Sequence, residues 1–186
     1  MAGPAIYFIN GNNTISNNKI YMNSGYSGGG IYISKSNTLI SNNEIYNNKA
    51  IYDRGGVSVF KGTNTITNNY IHDNTATGDG GGIYAVLGVD NVISKNVIGK
   101  NRRGINQIDT YYYVGGGIYT EKGSNLIVNN VLYENTSSYM GGGIFLYYGN
   151  NKVINNTIYK NTGTKGGGFF TYLGKNFVKI IYSGQY

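Results

Sequence analysis

Glycine triplets recurring at a nearly fixed interval limit what this chain can become more than any other feature. Triplets end at Gly30, Gly82, Gly117, Gly143 and Gly168, and the pair Gly55-Gly56 fills the remaining slot, so the intervals are 26, 26, 35, 26 and 25 residues. Ala5 holds the same slot 25 residues before Gly30, without the glycines. After each slot comes an alternating segment such as Ile31-Tyr32-Ile33 or Ile118-Tyr119-Thr120. An apolar centre follows (Ile15, Ile40, Ile66, Ile93, Ile127, Val153), then an Asn pair or its variant Lys95-Asn96. A second apolar centre (Ile20, Ile45, Ile71, Ile98, Leu132, Ile158) and a closing Asn complete the unit. Three period-two segments of strand length, separated by Gly or Asn turns, make a unit of short strands. Each segment turns only one or two side chains inward, so a unit must stack on copies of itself to bury them.

This arithmetic predicts an all-β solenoid of about seven coils of about 26 residues, with three short strands per coil. Coils start near 5, 30, 56, 82, 117, 143 and 168 of one domain, 1–186. Stacking in register at about 4.8 Å per coil places like residues over like. Asn18, Asn43, Asn69, Asn96, Asn130 and Asn156 then form a ladder of side-chain amides. The corner they occupy calls for a residue at positive φ, which Asn tolerates. The glycines suit a corner where backbones pass closely or turn left-handed.

Composition agrees. Thirty glycines and 29 asparagines oppose helix, while 40% hydrophobic residues and 20 tyrosines oppose disorder. With no cysteine, disulfides, thiolate metal sites and thiol catalysis are excluded. The net charge of +7 suits approach to an acidic partner such as an anionic glycan or a cell surface. No Lys/Arg run exceeds Arg102-Arg103, which argues against nucleic acid. No apolar run approaches the roughly 18 residues of a membrane span, and a basic segment leading into an apolar one is absent from the start.

Segments such as Asn13-Thr-Ile-Ser-Asn-Asn-Lys-Ile-Tyr and Asn64-Thr-Ile-Thr-Asn-Asn-Tyr-Ile-His resemble repeats of the NosD-like and pectate-lyase-like superfamily of right-handed parallel β-helices. The Gly-Gly-Gly-Ile-Tyr run from Gly28 to Tyr32 resembles repeats of polymorphic membrane proteins and adhesin-like surface proteins. The resemblance implies a right-handed parallel β-helix. It leaves function open, because that superfamily holds lyases, hydrolases, epimerases and non-catalytic adhesins.

Where the repeat breaks, the chain carries either a binding loop or a plain surface excursion. The long interval carries about nine extra residues within 102–114, including Arg102, Arg103, Tyr111, Tyr112 and Tyr113. The tail 177–186 lacks the Asn pair and reads as irregular. Alternation turns Tyr7, Tyr32, Tyr84, Tyr119, Phe145 and Phe170 outward in one column, with Ser58 as a gap. Tyr21, Tyr46, His72, Tyr133 and Tyr159 make a second column, with Gly99 as its gap. Such columns stabilise neighbouring strands and could offer an aromatic face, with Tyr32, Tyr84, Tyr119 and Phe145 central, to a glycan or protein.

Asp53 and Asp79 fall in equivalent slots, with Arg54 and Glu121 on the same side. That pair could bind Ca²⁺ or work as acid and base, but solvated turn residues are the simpler reading. No metal or cofactor is expected, and no lyase, epimerase or hydrolase motif is present to transfer. The expectation is a non-catalytic extracellular or cell-surface structural or adhesive module. It would stack end to end with itself or with a flanking domain and bind glycan or protein. A fragment or relative of a carbohydrate-active enzyme is the alternative, distinguished by whether Asp53, Asp79, Arg54 and Glu121 converge in a groove with shifted pKa values.

Overall fold

The computed structural model describes residues 3–103, 114–179 and 182–184. Every long-range strand pairing in it is parallel and joins equivalent positions of successive coils. Three seven-stranded sheets run the length of the solenoid. The first holds Ile6–Ile9, Ile31–Ser34, Val57–Phe60, Ile83–Val86, Ile118–Glu121, Ile144–Tyr147 and Phe169–Tyr172. The second runs from Asn12–Ser16 through Asn37–Ser41, Thr65–Thr67, Asn91–Ser94, Ser124–Val128 and Asn150–Ile154 to Lys175–Lys179. The third runs from Lys19–Tyr21 through Glu44–Tyr46, Tyr70–His72, Val97–Gly99, Val131–Tyr133 and Thr157–Tyr159 to Tyr182–Gly184. The tail thus keeps the repeat register through Lys179, where sequence reading expected irregularity.

Two-residue strands Ser24–Gly25, Lys49–Ala50, Thr75–Ala76 and Arg102–Arg103 add a narrow four-stranded sheet that the three-segment pattern did not anticipate. After this fourth strand the chain swings back past the outer face of the first sheet before reaching the glycines. The returning segments form a wall beside that sheet, tied from coil to coil by the bridges Val114 to Met140 and Met140 to Lys165.

Inward side chains form uninterrupted aliphatic columns. Ile15, Ile40, Ile66, Ile93, Ile127 and Val153 stack on the second sheet, and Ile20, Ile45, Ile71, Ile98, Leu132 and Ile158 on the third. All are buried in one continuous core. Each isoleucine so buried contributes roughly 1.5–3 kcal/mol relative to exposure, which offsets the entropy of ordering a glycine-rich chain.

Asparagines close the corners in ladders. Asn43 shows the geometry: its backbone N–H and its side-chain Nδ2 both donate to Asn69 Oδ1, at 3.0 and 3.1 Å, and Nδ2 also donates to the Ile15 carbonyl at 2.9 Å. The same pattern links Asn18 to Asn156 through all six predicted residues. One detail differs. Left-handed angles fall on the residue before each ladder Asn, at Asn17, Asn42, Asn68, Lys95, Asn129 and Asn155, with φ between 53 and 60°. The ladder amide must point into the corner to reach both neighbours, so its predecessor makes the turn, and even lysine serves there.

The closing asparagines Asn23, Asn48, Asn74, Asn101, Asn135 and Asn161 form a second ladder. A third joins Asn64, Asn91, Asn125, Asn151 and Asn176. Close approach explains the glycines. A Cβ on Gly81 would lie 2.6 Å from the Gly116 carbonyl oxygen of the next coil, which no side chain could tolerate without shifting backbone.

Candidate functional site

The first glycine of each triplet answers to an aromatic ring. Gly80, Gly115, Gly141 and Gly166 have φ between 60 and 75°, and a Cβ there would press within 2.6 to 2.9 Å of a side-chain atom of Tyr84, Tyr119, Phe145 or Phe170, four residues later. In the third coil the glycine is replaced by Arg54, also left-handed at φ 79°, and the residue four later is Ser58. The Arg54 guanidinium lies 5.5 Å from the Tyr32 ring centroid and 4.8 Å from that of Tyr84. A cation therefore stands in the stack where the ring is missing.

The rest of this column stacks closely. Tyr7 and Tyr32 are 4.9 Å apart, Tyr84 and Tyr119 4.8 Å, Tyr119 and Phe145 5.5 Å, Phe145 and Phe170 5.8 Å, all within 23° of parallel. Outward does not mean exposed, however. Tyr84, Tyr119 and Phe145 are 7%, 4% and 4% exposed, because the wall and its Val114 cover them. Ring faces are consumed by one another, so at Tyr84, Tyr119 and Phe145 the expected open aromatic face is covered, and within the column only Tyr7 at its end is exposed among the large rings.

Between wall and sheet lies a cleft of about 450 Å³ lined by Asp79, Val114, Tyr119, Tyr139, Met140, Phe145, Tyr147 and Tyr172. Tyr147 and Tyr172 belong to the row beside the stacked column. Tyr172 is about half exposed at the rim, and Tyr148 meets both of these rings edge-on.

Asp53 and Asp79 do come together, through the backbone. Asp53 Oδ1 accepts the Asp79 N–H at 2.9 Å, and Asp79 Oδ1 accepts the Val114 N–H at 2.8 Å. They repeat in carboxylate form what the asparagines do at other corners, and they pin the wall. Neither is a solvated turn residue. Burial pushes the Asp53 carboxyl up despite the bond from Asp79 and nearby Arg54. Burial pushes Asp79 up to about 7, with Asp53 and Glu121 adding to the rise and the Val114 N–H and Arg103 opposing it. Glu121 accepts from the Tyr119 hydroxyl at 3.4 Å and pairs with Lys122 at 3.4 Å. Burial raises Tyr84 to about 12 and raises Tyr119 further, with the neighbouring acids contributing to both. The four residues Asp53, Arg54, Asp79 and Glu121 thus lie on one side, but only Asp79 lines the cleft and the four do not converge in it. Sequence reading missed Val114, Tyr139 and Met140, whose only signal was their position just before a glycine triplet.

Arg102 and Arg103 are strand residues, not loop residues: they pair with Thr75 and Ala76. Arg102 is exposed and Arg103 buried. The insertion is therefore shorter than 102–114, and Tyr111, Tyr112 and Tyr113 lie outside the described residues. Among the described residues no three His, Cys, Asp or Glu side chains gather to hold a metal ion, and no helix is long and apolar enough to cross a membrane.

The second column lies on the third sheet. Tyr21, Tyr46 and His72 stack at 5.0 and 5.1 Å. His72 Nδ1 contacts Asp73 Oδ2 at 2.7 Å, and Glu44 bridges to Lys19 at 3.0 Å. The gap at Gly99 is closed by Tyr133, whose ring occupies the space a Cβ would need and whose hydroxyl meets that of Tyr70 at 3.0 Å.

No curated protein and no solved structure matches the chain. Residues 3–181 match the family described as a right-handed β-helix region, a span that takes in the cleft and every strand of the three long sheets except Tyr182–Gly184. With parallel coils, aliphatic columns and asparagine ladders in place, the chain belongs to the right-handed β-helix family.

Proposed function

We propose that this β-helix is a non-catalytic structural or adhesive module of a cell surface or extracellular space, and that it binds glycan in the cleft beside the first sheet. The observation that carries the reading is the cleft's lining: four tyrosines, a phenylalanine and a methionine around one carboxyl group. Its volume falls within the roughly 300–1,000 Å³ of small-ligand sites, and a mostly apolar lining with few placed polar groups is what such sites use. Tyrosine supplies apolar area to the flat face of a sugar and a hydroxyl to its rim. The ladder-bonded frame holds these groups rigid, which lowers the entropic cost of binding.

Catalysis is left out of the proposal because Asp53 and Asp79 each commit an oxygen to a backbone N–H that fixes the wall. Exposed Phe177 and Val178 in the last coil and Tyr7 in the first support stacking onto another coil, from a second copy or a flanking domain.

A glycan array probed with the purified protein tests the binding role, and binding to no polysaccharide would remove it. Incubation with the captured glycans, followed for new reducing ends or unsaturated products, separates binding from turnover. Product release that depends on Asp79 would replace this reading with a carbohydrate-active enzyme.

A further inference from the structure

The geometry points to a neutral saccharide, not an acidic one, as the occupant of the cleft. This inference rests on the cleft being a glycan site and adds the class of glycan. The protein carries a net charge of +7, so its overall field favours anions. The cleft departs from that field. Among the described residues no lysine or arginine lines it, and the only carboxyl is Asp79.

The cations around it are already engaged. Lys122 pairs with Glu121 at 3.4 Å. Arg54 is sandwiched between Tyr32 and Tyr84. Lys165 stands 5.3 Å from the Tyr139 ring centroid, and Arg103 is buried beneath the wall, where its charge acts on Asp79. A uronate carboxylate entering the cleft would lose water and gain a cation only by drawing Lys165 or Lys122 away from its present partner, a costly exchange. Above about pH 7, where Asp79 is ionised, it would also meet that carboxylate and, behind it, Asp53 and Glu121. A neutral sugar meets none of these penalties. Its hydroxyls can donate to Asp79 and exchange hydrogen bonds with the phenols of Tyr139, Tyr147 and Tyr172, while its C–H face covers Met140 and Phe145.

Methionine provides a site-specific readout. Met140 lines the cleft, and Met22 is exposed at a distant corner. With ¹³C-methyl methionine labelling, xylohexaose or cellohexaose should shift the Met140 resonance saturably and leave Met22 unmoved. Hexagalacturonate should need at least about tenfold higher concentration for the same shift. Asp79→Asn, which keeps an acceptor for the Val114 N–H, should narrow that gap by improving the acidic hexamer. Tyr172→Ala, at the exposed rim, should weaken the neutral hexamers several-fold without touching the core. If hexagalacturonate shifts Met140 as readily as the neutral hexamers, the inference is overturned while the cleft remains a glycan site. If no hexamer shifts Met140, both the inference and the glycan reading of the cleft fall.

Discussion

At the scale of single residues, the solenoid is governed by pairs that must be chosen together. A left-handed glycine and the ring four residues on are one such pair, because any Cβ at the first crowds the second. Arg54 and Ser58 are the same pair inverted: with no ring at Ser58, the guanidinium takes the ring's place in the stack between Tyr32 and Tyr84. This predicts strong non-additivity. Arg54→Gly alone should cost about 1–2 kcal/mol through two lost cation–π contacts. Ser58→Tyr alone should cost about 1–3 kcal/mol through overpacking against Arg54. The double variant restores the arrangement of the neighbouring coils, and its urea midpoint should lie closer to wild type than either single variant. Additive losses would refute the pairing.

Asp79 has its own consequence. Its folded pKa, about 7, lies above the ordinary 3.8, so the native state holds the proton more tightly than the unfolded chain. The stability it contributes is fully present below about pH 4 and drains away as pH rises to about 7. Asp79→Asn should flatten the fall in Tm across that window, while an unchanged slope would place the proton elsewhere.

At the scale of strands and corners, the ladders bear the polar load. Asn96 Oδ1 accepts from the Asn69 N–H and Nδ2 at 2.9 and 3.0 Å, and its Nδ2 donates to Asn130 Oδ1 and the Ile66 carbonyl at 3.0 and 2.9 Å. Asn96→Ala removes all four bonds: it takes the acceptor from the Asn69 N–H and a donor from the Ile66 carbonyl, where a buried group left unsatisfied costs roughly 1–3 kcal/mol, while Asn69 Nδ2 and Asn130 Oδ1 keep other partners. A loss of at least about 3 kcal/mol is expected by urea denaturation. Asn18→Ala, in the exposed first corner, should cost about 1 kcal/mol or less, because water replaces its partners. Equal losses at the two positions would mean that burial is not what gives the ladder its strength.

The coils and the first ladder were legible because apolar centres and asparagines recur at fixed offsets. The third ladder was not, although Asn64, Asn91, Asn125 and Asn151 each stand two residues before an apolar centre. Thr38 interrupts that series in the second coil, and a polar residue at a strand start reads as an ordinary turn. The fourth sheet escaped for a related reason, since two residues carry no period. The burial of Tyr84, Tyr119 and Phe145 could not be read from alternation either. Alternation fixes which way a ring points, but the wall that covers it is made of segments without any periodic pattern.

At the scale of the whole molecule, each coil contacts its neighbours on either side, so stability is close to a sum of coil and interface terms. Fold and site should then be separable. Excising residues 117–142 joins Gly116 to Gly143, which occupy successive equivalent slots, and removes one complete coil of 26 residues. Asn96 would then face Asn156 and Asn101 would face Asn161, with the aliphatic columns equally restored. Tyr119, Tyr139 and Met140 leave with the coil, and the cleft loses the middle of its lining between Asp79 and Val114 on one side and Phe145, Tyr147 and Tyr172 on the other. The shortened chain should retain a β-sheet circular dichroism spectrum and a cooperative urea transition. Its m-value should fall by roughly a seventh, because m follows the surface exposed on unfolding. Binding to any glycan that the intact protein captures should disappear. Loss of folding would show that the coils depend on more than their neighbours. Retained folding with undiminished glycan binding would show that Tyr119, Tyr139 and Met140 take no part in the site and would overturn its placement in the cleft.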